Sequence, residues 1–117
     1  MTTYAVLLPG DESTWATATA EQKAAMYEKH NRFSELLAER GHKVTAGAEL
    51  TPSATAKVVS GSLDSVSITD GPYAETTEQL TGFYTVETDD LDDLLNVVGI
   101  LAEGGRVEVR ACVDHSG

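Results

Sequence analysis

The sequence predicts one α+β domain, with helices and strands alternating along its 117 residues. Three observations predict it. Two segments, roughly 19–40 and 89–103, carry apolar residues at the 3.6-residue period of an amphipathic helix. Six short stretches read as strands bounded by glycine, proline or small polar residues. No linker, repeat or low-complexity stretch divides the chain, so a single core must serve all of it.

The elements follow in order. Residues 3–8 form a short apolar run rich in strand formers, which Pro9 and Gly10 are expected to stop. A polar loop carrying Trp15 comes next. Thr19 and Gln22 have the spacing of a capping box, in which each side chain satisfies the other's backbone N–H. The first helix is predicted to run from there to about Arg40, with Gly41 as its left-handed terminator. Met26, His30, Phe33 and Leu37 lie within about 60° of one another on a wheel of 100° per residue. Glu28, Arg32, Glu35 and Glu39 take the opposite side, so one histidine sits inside the apolar stripe.

Lys43–Ala48 reads as the second strand. Residues 54–59 and 63–69 read as a hairpin turning at Ser60-Gly61-Ser62, with Val66 and Ile68 on one face and a wet side opposite. Asp70-Gly71-Pro72 is a turn, 73–81 a polar excursion, and Gly82–Glu87 a further strand. The second helix is expected to start near Thr88 or Asp89. Asp89, Asp90, Asp92 and Asp93 crowd its first turn, where negative charge complements the helix dipole. Leu91, Leu94, Leu95, Val98, Leu101 and Ala102 form its apolar face, and Gly104-Gly105 ends it. Residues 106–113 give a last strand with Val107, Val109, Ala111 and Val113 on one face. Without the inserted hairpin the order is β-α-β-β-α-β, the ferredoxin-like split βαβ pattern. Two helices then cover one face of an antiparallel sheet. The other face is bare, and a second copy is the expected cover.

Composition narrows the function. Hydrophobic residues make up 41% and charged residues 23%, as in ordinary globular domains. Nineteen acids against eight bases give a net charge of −11, which repels phosphate backbones and anionic membranes. Neither nucleic acid nor membrane is an expected partner. No Lys or Arg lies between Lys57 and Arg106, a stretch with ten acids; it reads as a solvated face or as a docking surface for a basic partner. A single cysteine, Cys112, permits no internal disulfide and fits a reducing cytoplasm. The sequence has neither a signal-peptide pattern nor an apolar run of the ~20 residues that a membrane helix needs.

The block from Asp70-Gly71-Pro72-Tyr73 to Phe83-Tyr84 resembles the signature of the YCII-related (DGPF-domain) family. The likeness extends to the N-terminal strand, the first helix with residues 41–49, the Asp-Leu-Asp start of the second helix, and Val107–Arg110. It implies a dimeric α+β barrel built from ferredoxin-like halves. It also implies a role for His30, which stands eleven residues before Gly41, as does the histidine of a His–Asp pair in YCII proteins. The family's aspartate lies soon after the next strand, where this chain reads Ala48-Glu49-Leu50-Thr51, without Asp. The candidate partner is therefore Asp70 or a glutamate at 75–78; failing these, His30 stays neutral beside a hydroxyl or backbone group. Thr77 and Thr81 also depart from the branch, which often has Lys and Gly there.

His30 is the sharpest candidate residue, because imidazole titrates near neutrality and serves as general acid or base. Its ordinary alternative is a hydrogen-bonded core histidine. Asp70 either orients His30 or merely makes the turn before Gly71-Pro72. Glu75 lines a cleft or is a solvated loop carboxylate. Tyr73 contacts ligand or packs. Arg110 holds an anionic substrate or pairs with a neighbouring glutamate. Trp15 caps a pocket or packs on the sheet. His30, His42, His115 and Cys112 lack metal-ligand spacing, and no phosphate loop, dinucleotide fingerprint or nucleophile elbow occurs, so neither metal nor cofactor is expected. Two functional readings stand: a cofactor-free lyase or isomerase acting on a small aromatic or enolisable molecule, and a non-catalytic ligand-binding or regulatory companion of transcription regulators. A third is an interaction domain presenting its acidic face.

Overall fold

Capping chemistry sets the helix boundaries. A computed structural model describes residues 1–103 and 105–115, and in it Thr19 accepts from the Gln22 N–H while Gln22 accepts from the Thr19 N–H, closing the predicted capping box. Helix α2 runs Ala20–Glu39, and Gly41 follows at φ +83, the left-handed value that a glycine adopts without steric cost. Helix α3 runs Leu91–Ala102, with the Asp90 carboxylate accepting from the Asp93 N–H. The expected Gly104-Gly105 stop falls partly outside the described residues. Trp15 sits on a short helix, α1 (Glu12–Ala16), capped by Asp11, rather than in a loop.

The strands are β1 (Thr2–Asp11), β2 (Lys43–Glu49), β3 (Lys57–Ser62), β4 (Ser65–Asp70), β5 (Glu78–Thr88) and β6 (Glu108–Ala111). Four of them form an antiparallel sheet in the order β2-β5-β1-β6, and β3-β4 form a separate hairpin. Without the hairpin this is the ferredoxin-like arrangement expected from the element order. Strand β1 does not stop at Pro9. A register shift between Leu8 and Pro9 lets it continue to Asp11 against β5, and a bulge tolerates a residue that has no N–H to give. The hairpin turns at Leu63-Asp64 instead of Ser60-Gly61-Ser62, with Asp64 at φ +65, and residues 53–55 form a 3₁₀ turn. An aspartate tolerates this left-handed backbone.

The core lies between the sheet and both long helices. Val6 and Val86 from the sheet meet Phe33 and Leu37 of α2 and Leu94, Val97 and Val98 of α3. Three helix positions differ from the periodicity reading. Met26 and Leu95 are partly exposed, whereas Val97 is buried. A stripe can be read from sequence, but its rotation toward the neighbouring element is set by packing. Alternation sends Ala5, Leu7, Phe83 and Thr85 to the opposite, helix-free face.

Buried His42 joins the two helix ends. Its Nε2 donates to Asp93 at 2.7 Å, and Asp93 also accepts from Arg40 at 2.8 Å. Its Nδ1 lies 2.7 Å from the Thr88 hydroxyl, which accepts from the Asp90 N–H. Every ring nitrogen is therefore satisfied, as burial of a polar group demands.

Candidate functional site

Helix α2 carries Lys23, Tyr27 and His30 at spacings of four and three, so they share one face. His30 is half-buried, and its Nδ1 lies 2.6 Å from the Tyr84 hydroxyl of β5. Tyr84 reaches it because β2 offers no side chain at Gly47. A Cβ there would stand 2.8 Å from Tyr84 Cδ1. The Tyr84 ring also packs on buried Phe33 at a centroid distance of 5.2 Å, so the core fixes the hydroxyl that fixes the imidazole.

Next along the face, the Tyr27 hydroxyl donates to both oxygens of Glu49, at 3.1 and 3.0 Å. Trp15 meets Tyr27 edge-on at 5.7 Å, and Lys23 lies over the Trp15 ring at 5.4 Å. Burial pushes the His30 pKa below its ordinary value, and the Glu49 charge opposes part of that fall. Burial alone raises Tyr84. The Glu49 hydrogen bond raises Tyr27. Both phenols and the imidazole are thus held in their neutral forms at pH 7.

The two ring nitrogens of His30 are not equivalent. Among the described residues Nε2 accepts or donates no hydrogen bond, and no buried side-chain nitrogen or oxygen lacks a partner. Solvent must therefore reach Nε2. With Nδ1–H donated to Tyr84, Nε2 presents a lone pair; with Tyr84 donating, it presents N–H. One outward nitrogen can take or give a proton.

The other expected site residues lie elsewhere. Asp70 pairs with Lys57 at the root of the hairpin. Glu49, not Asp70, is the carboxylate whose charge acts on His30. Asp70 and Glu75 line a cleft of about 360 Å³ with Ser53, Pro72, Thr76 and Gln79. Tyr73 lines an adjoining one of about 320 Å³ with Leu50 and Leu80. Neither cleft includes His30. Arg110 pairs with Glu108 on the helix-free face. Of the five candidates besides His30, Trp15 is the one that the described contacts bring to this face of α2, against Tyr27. Sequence reasoning missed Tyr84, Tyr27 and Glu49; the i, i+3 spacing of Tyr27 and His30 was a signal for one of them.

Residues 2–101 match the model of the YCII-related domain. The chain belongs to the YCII-related family. An uncharacterized protein of Rhizobium meliloti (strain 1021) is 32% identical over 111 residues, which cover 92% of this chain and 89% of that protein. The resemblance places the family's aspartate in the region of residues 48–51, where the carboxylate present is Glu49, the last residue of β2. Its extra methylene and its bond to Tyr27 keep the carboxylate near His30 without a direct hydrogen bond among the described contacts. Among the described residues no group of three or more His, Cys, Asp or Glu side chains is arranged to hold a metal ion. No helix among them is long and apolar enough to cross a membrane.

Proposed function

We propose that this YCII-related chain is a cytoplasmic homodimer that binds a small molecule and moves a proton on it through His30, in the manner of a cofactor-free lyase or isomerase. The observation that carries the reading is the asymmetry of the imidazole. Nδ1 is held by Tyr84, while Nε2 has no hydrogen-bond partner among the described residues. A base at Nε2 takes a proton from an acidified C–H or O–H. The imidazolium formed sits in the field of Glu49. It returns the proton at another atom of the substrate, or to a leaving group, so the ring ends as it began. The lowered pKa keeps the ring neutral at pH 7, ready to act as base. Trp15 and Tyr27 supply flat apolar surface beside it, suited to an aromatic or enolisable compound.

The test is exchange of enolisable protons into D₂O across a panel of 2-oxo acids and β-diketones. His30→Gln should slow exchange on the accepted compound by about 10²–10⁴-fold. Equal rates for wild type and variant on every compound would remove the catalytic role. One observation favours the non-catalytic reading instead: both clefts lie at the hairpin root, away from His30. A ligand that binds unchanged to His30→Gln, and shifts the resonances of Asp70 and Gln79 rather than His30, would select that regulatory role.

A further inference from the structure

We propose that the β3–β4 hairpin is an arm that packs its apolar face on a second copy of this chain. The inference rests on the homodimer proposed above and adds the element that clasps it. Cross-strand pairing places Val59 opposite Ile68 and Gly61 opposite Val66, on one face. The reverse face pairs Ser60 with Ser67 and Ser62 with Ser65. The hairpin is therefore amphipathic toward its tip: one side carries the serine hydroxyls, with Val58 and Thr69 nearer the root, and the other carries Val59, Val66 and Ile68, with the Lys57–Asp70 pair at the root. Yet among the described residues the aliphatic side is left more than half exposed. Val59 is 61%, Ile68 63%, Val66 52% and the turn residue Leu63 89% exposed. A lone two-stranded hairpin is marginal in water, so this one needs a surface to lie on. It also projects. The radius of gyration is 16.4 Å, against about 13 Å for a compact chain of this length.

Area and charge identify the occupant. The four exposed residues leave on the order of 500 Å² bare, near the upper limit of the largest patch on an ordinary monomer. One arm docked on a different protein would bury only about 1,000 Å² in total, below the size of a stable interface. A twofold dimer counts the contact twice and reaches about 2,000 Å², within the range of stable dimers. The chain offers a matching receptor: Ala5, Leu7 and Phe83 at the centre of the helix-free sheet face. Residues 57–70 contain Lys57, Asp64 and Asp70, a net charge of −1 in a chain of −11. The arm is thus a stretch along which two acidic copies can approach with little repulsion.

Sedimentation equilibrium of wild type, Ile68→Glu and Ser67→Glu tests this. Both variants add the same charge, one on each face of the hairpin. Wild type should sediment at twice the 12.4 kDa chain mass. Ile68→Glu should weaken the dimer on the order of a hundredfold, and Ser67→Glu by less than about threefold. Thermal melts under monomer conditions should leave both variants folded, because the hairpin lies outside the core; if Ile68→Glu does not fold, Val66→Ser and Ile68→Ser give the same reading. A dimer that ignores Ile68→Glu, or weakens equally in both variants, overturns the arm and leaves the homodimer standing. A wild type that stays monomeric overturns both.

Discussion

Gly47→Ala tests the placement of Tyr84 from the strand that makes room for it. The added methyl would stand 2.8 Å from Cδ1 and 3.2 Å from Cε1 of the ring. Carbon atoms rest comfortably at about 3.5–4.0 Å, so the ring must retreat by roughly 0.7 Å or β2 must bend. The ring cannot retreat freely, because buried Phe33 lies against it. Overpacking of this kind costs about 1–3 kcal/mol, and each kcal/mol lowers the melting temperature of a domain this size by about 4–8 °C. The same movement opens the 2.6 Å contact to His30 Nδ1 beyond the ~3.2 Å at which such bonds weaken. Imidazole ¹⁵N shifts read this directly. The wild type should report a hydrogen-bonded ring, and Gly47→Ala a ring averaging between tautomers. Tyr84→Phe should give the same ¹⁵N pattern with less strain. Unchanged shifts and melting in Gly47→Ala would mean that the glycine does not position Tyr84, and the account of the site would fail at its foundation.

Further predictions concern charge and packing. Glu49→Gln removes a carboxylate charge that raises His30, so the His30 pKa should fall further below the ordinary ~6.5; a rise on NMR titration would contradict this geometry. Leu94→Ala should cost about 2–5 kcal/mol, since Leu94 is 0% exposed, and Leu95→Ala about 1 kcal/mol or less, since Leu95 is 45% exposed; equal losses in urea melts would misplace helix α3. Hydrogen bonding from His42, aided by Arg40, holds the Asp93 carboxyl below the ordinary aspartate value. The unfolded chain therefore binds the proton first as pH falls, and stability present above about pH 4 is lost on descending through the folded value. Asp93→Asn should flatten that part of the acid-denaturation curve, and an unchanged slope would exclude the His42–Asp93–Arg40 network as its cause.

The fold was legible to the extent that it is local. Capping at Thr19, termination at Gly41 and the inserted hairpin all depend on residues a few positions apart, and all of them stand in the structure. The β-α-β-β-α-β order then left few topologies, because sequential antiparallel strands and helices on one face constrain the rest. What local pattern could not give was rotation and extent. Leu95 belongs to the periodic stripe but turns partly to solvent while Val97 turns inward. Pro9 looked like an end because the bulge that carries β1 past it is made with β5, more than seventy residues away.

The site was legible by half, for a related reason. His30 could be found from its helical face and from its distance to Gly41, both properties of one segment. The groups that act on it come from two other segments that only folding brings to α2: Glu49 at the end of β2, which Tyr27 of the same helix holds, and Tyr84 in the middle of β5. Asp70 was attractive because an aspartate was expected, yet Lys57 sits beside it across the hairpin and takes its charge. The absence of an aspartate after β2 was the informative departure. A glutamate there, tied back by a phenol, acts on the imidazole through its field rather than through a hydrogen bond. Such a carboxylate does not hold the ring of His30 in place, and that task passes to the Tyr84 hydroxyl. The pair of residues that the family resemblance led us to expect has become three, with charge supplied by one and orientation by another. Separate substitution of Glu49 and Tyr84 should therefore separate the two effects, removing the field in one case and the Nδ1 hydrogen bond in the other.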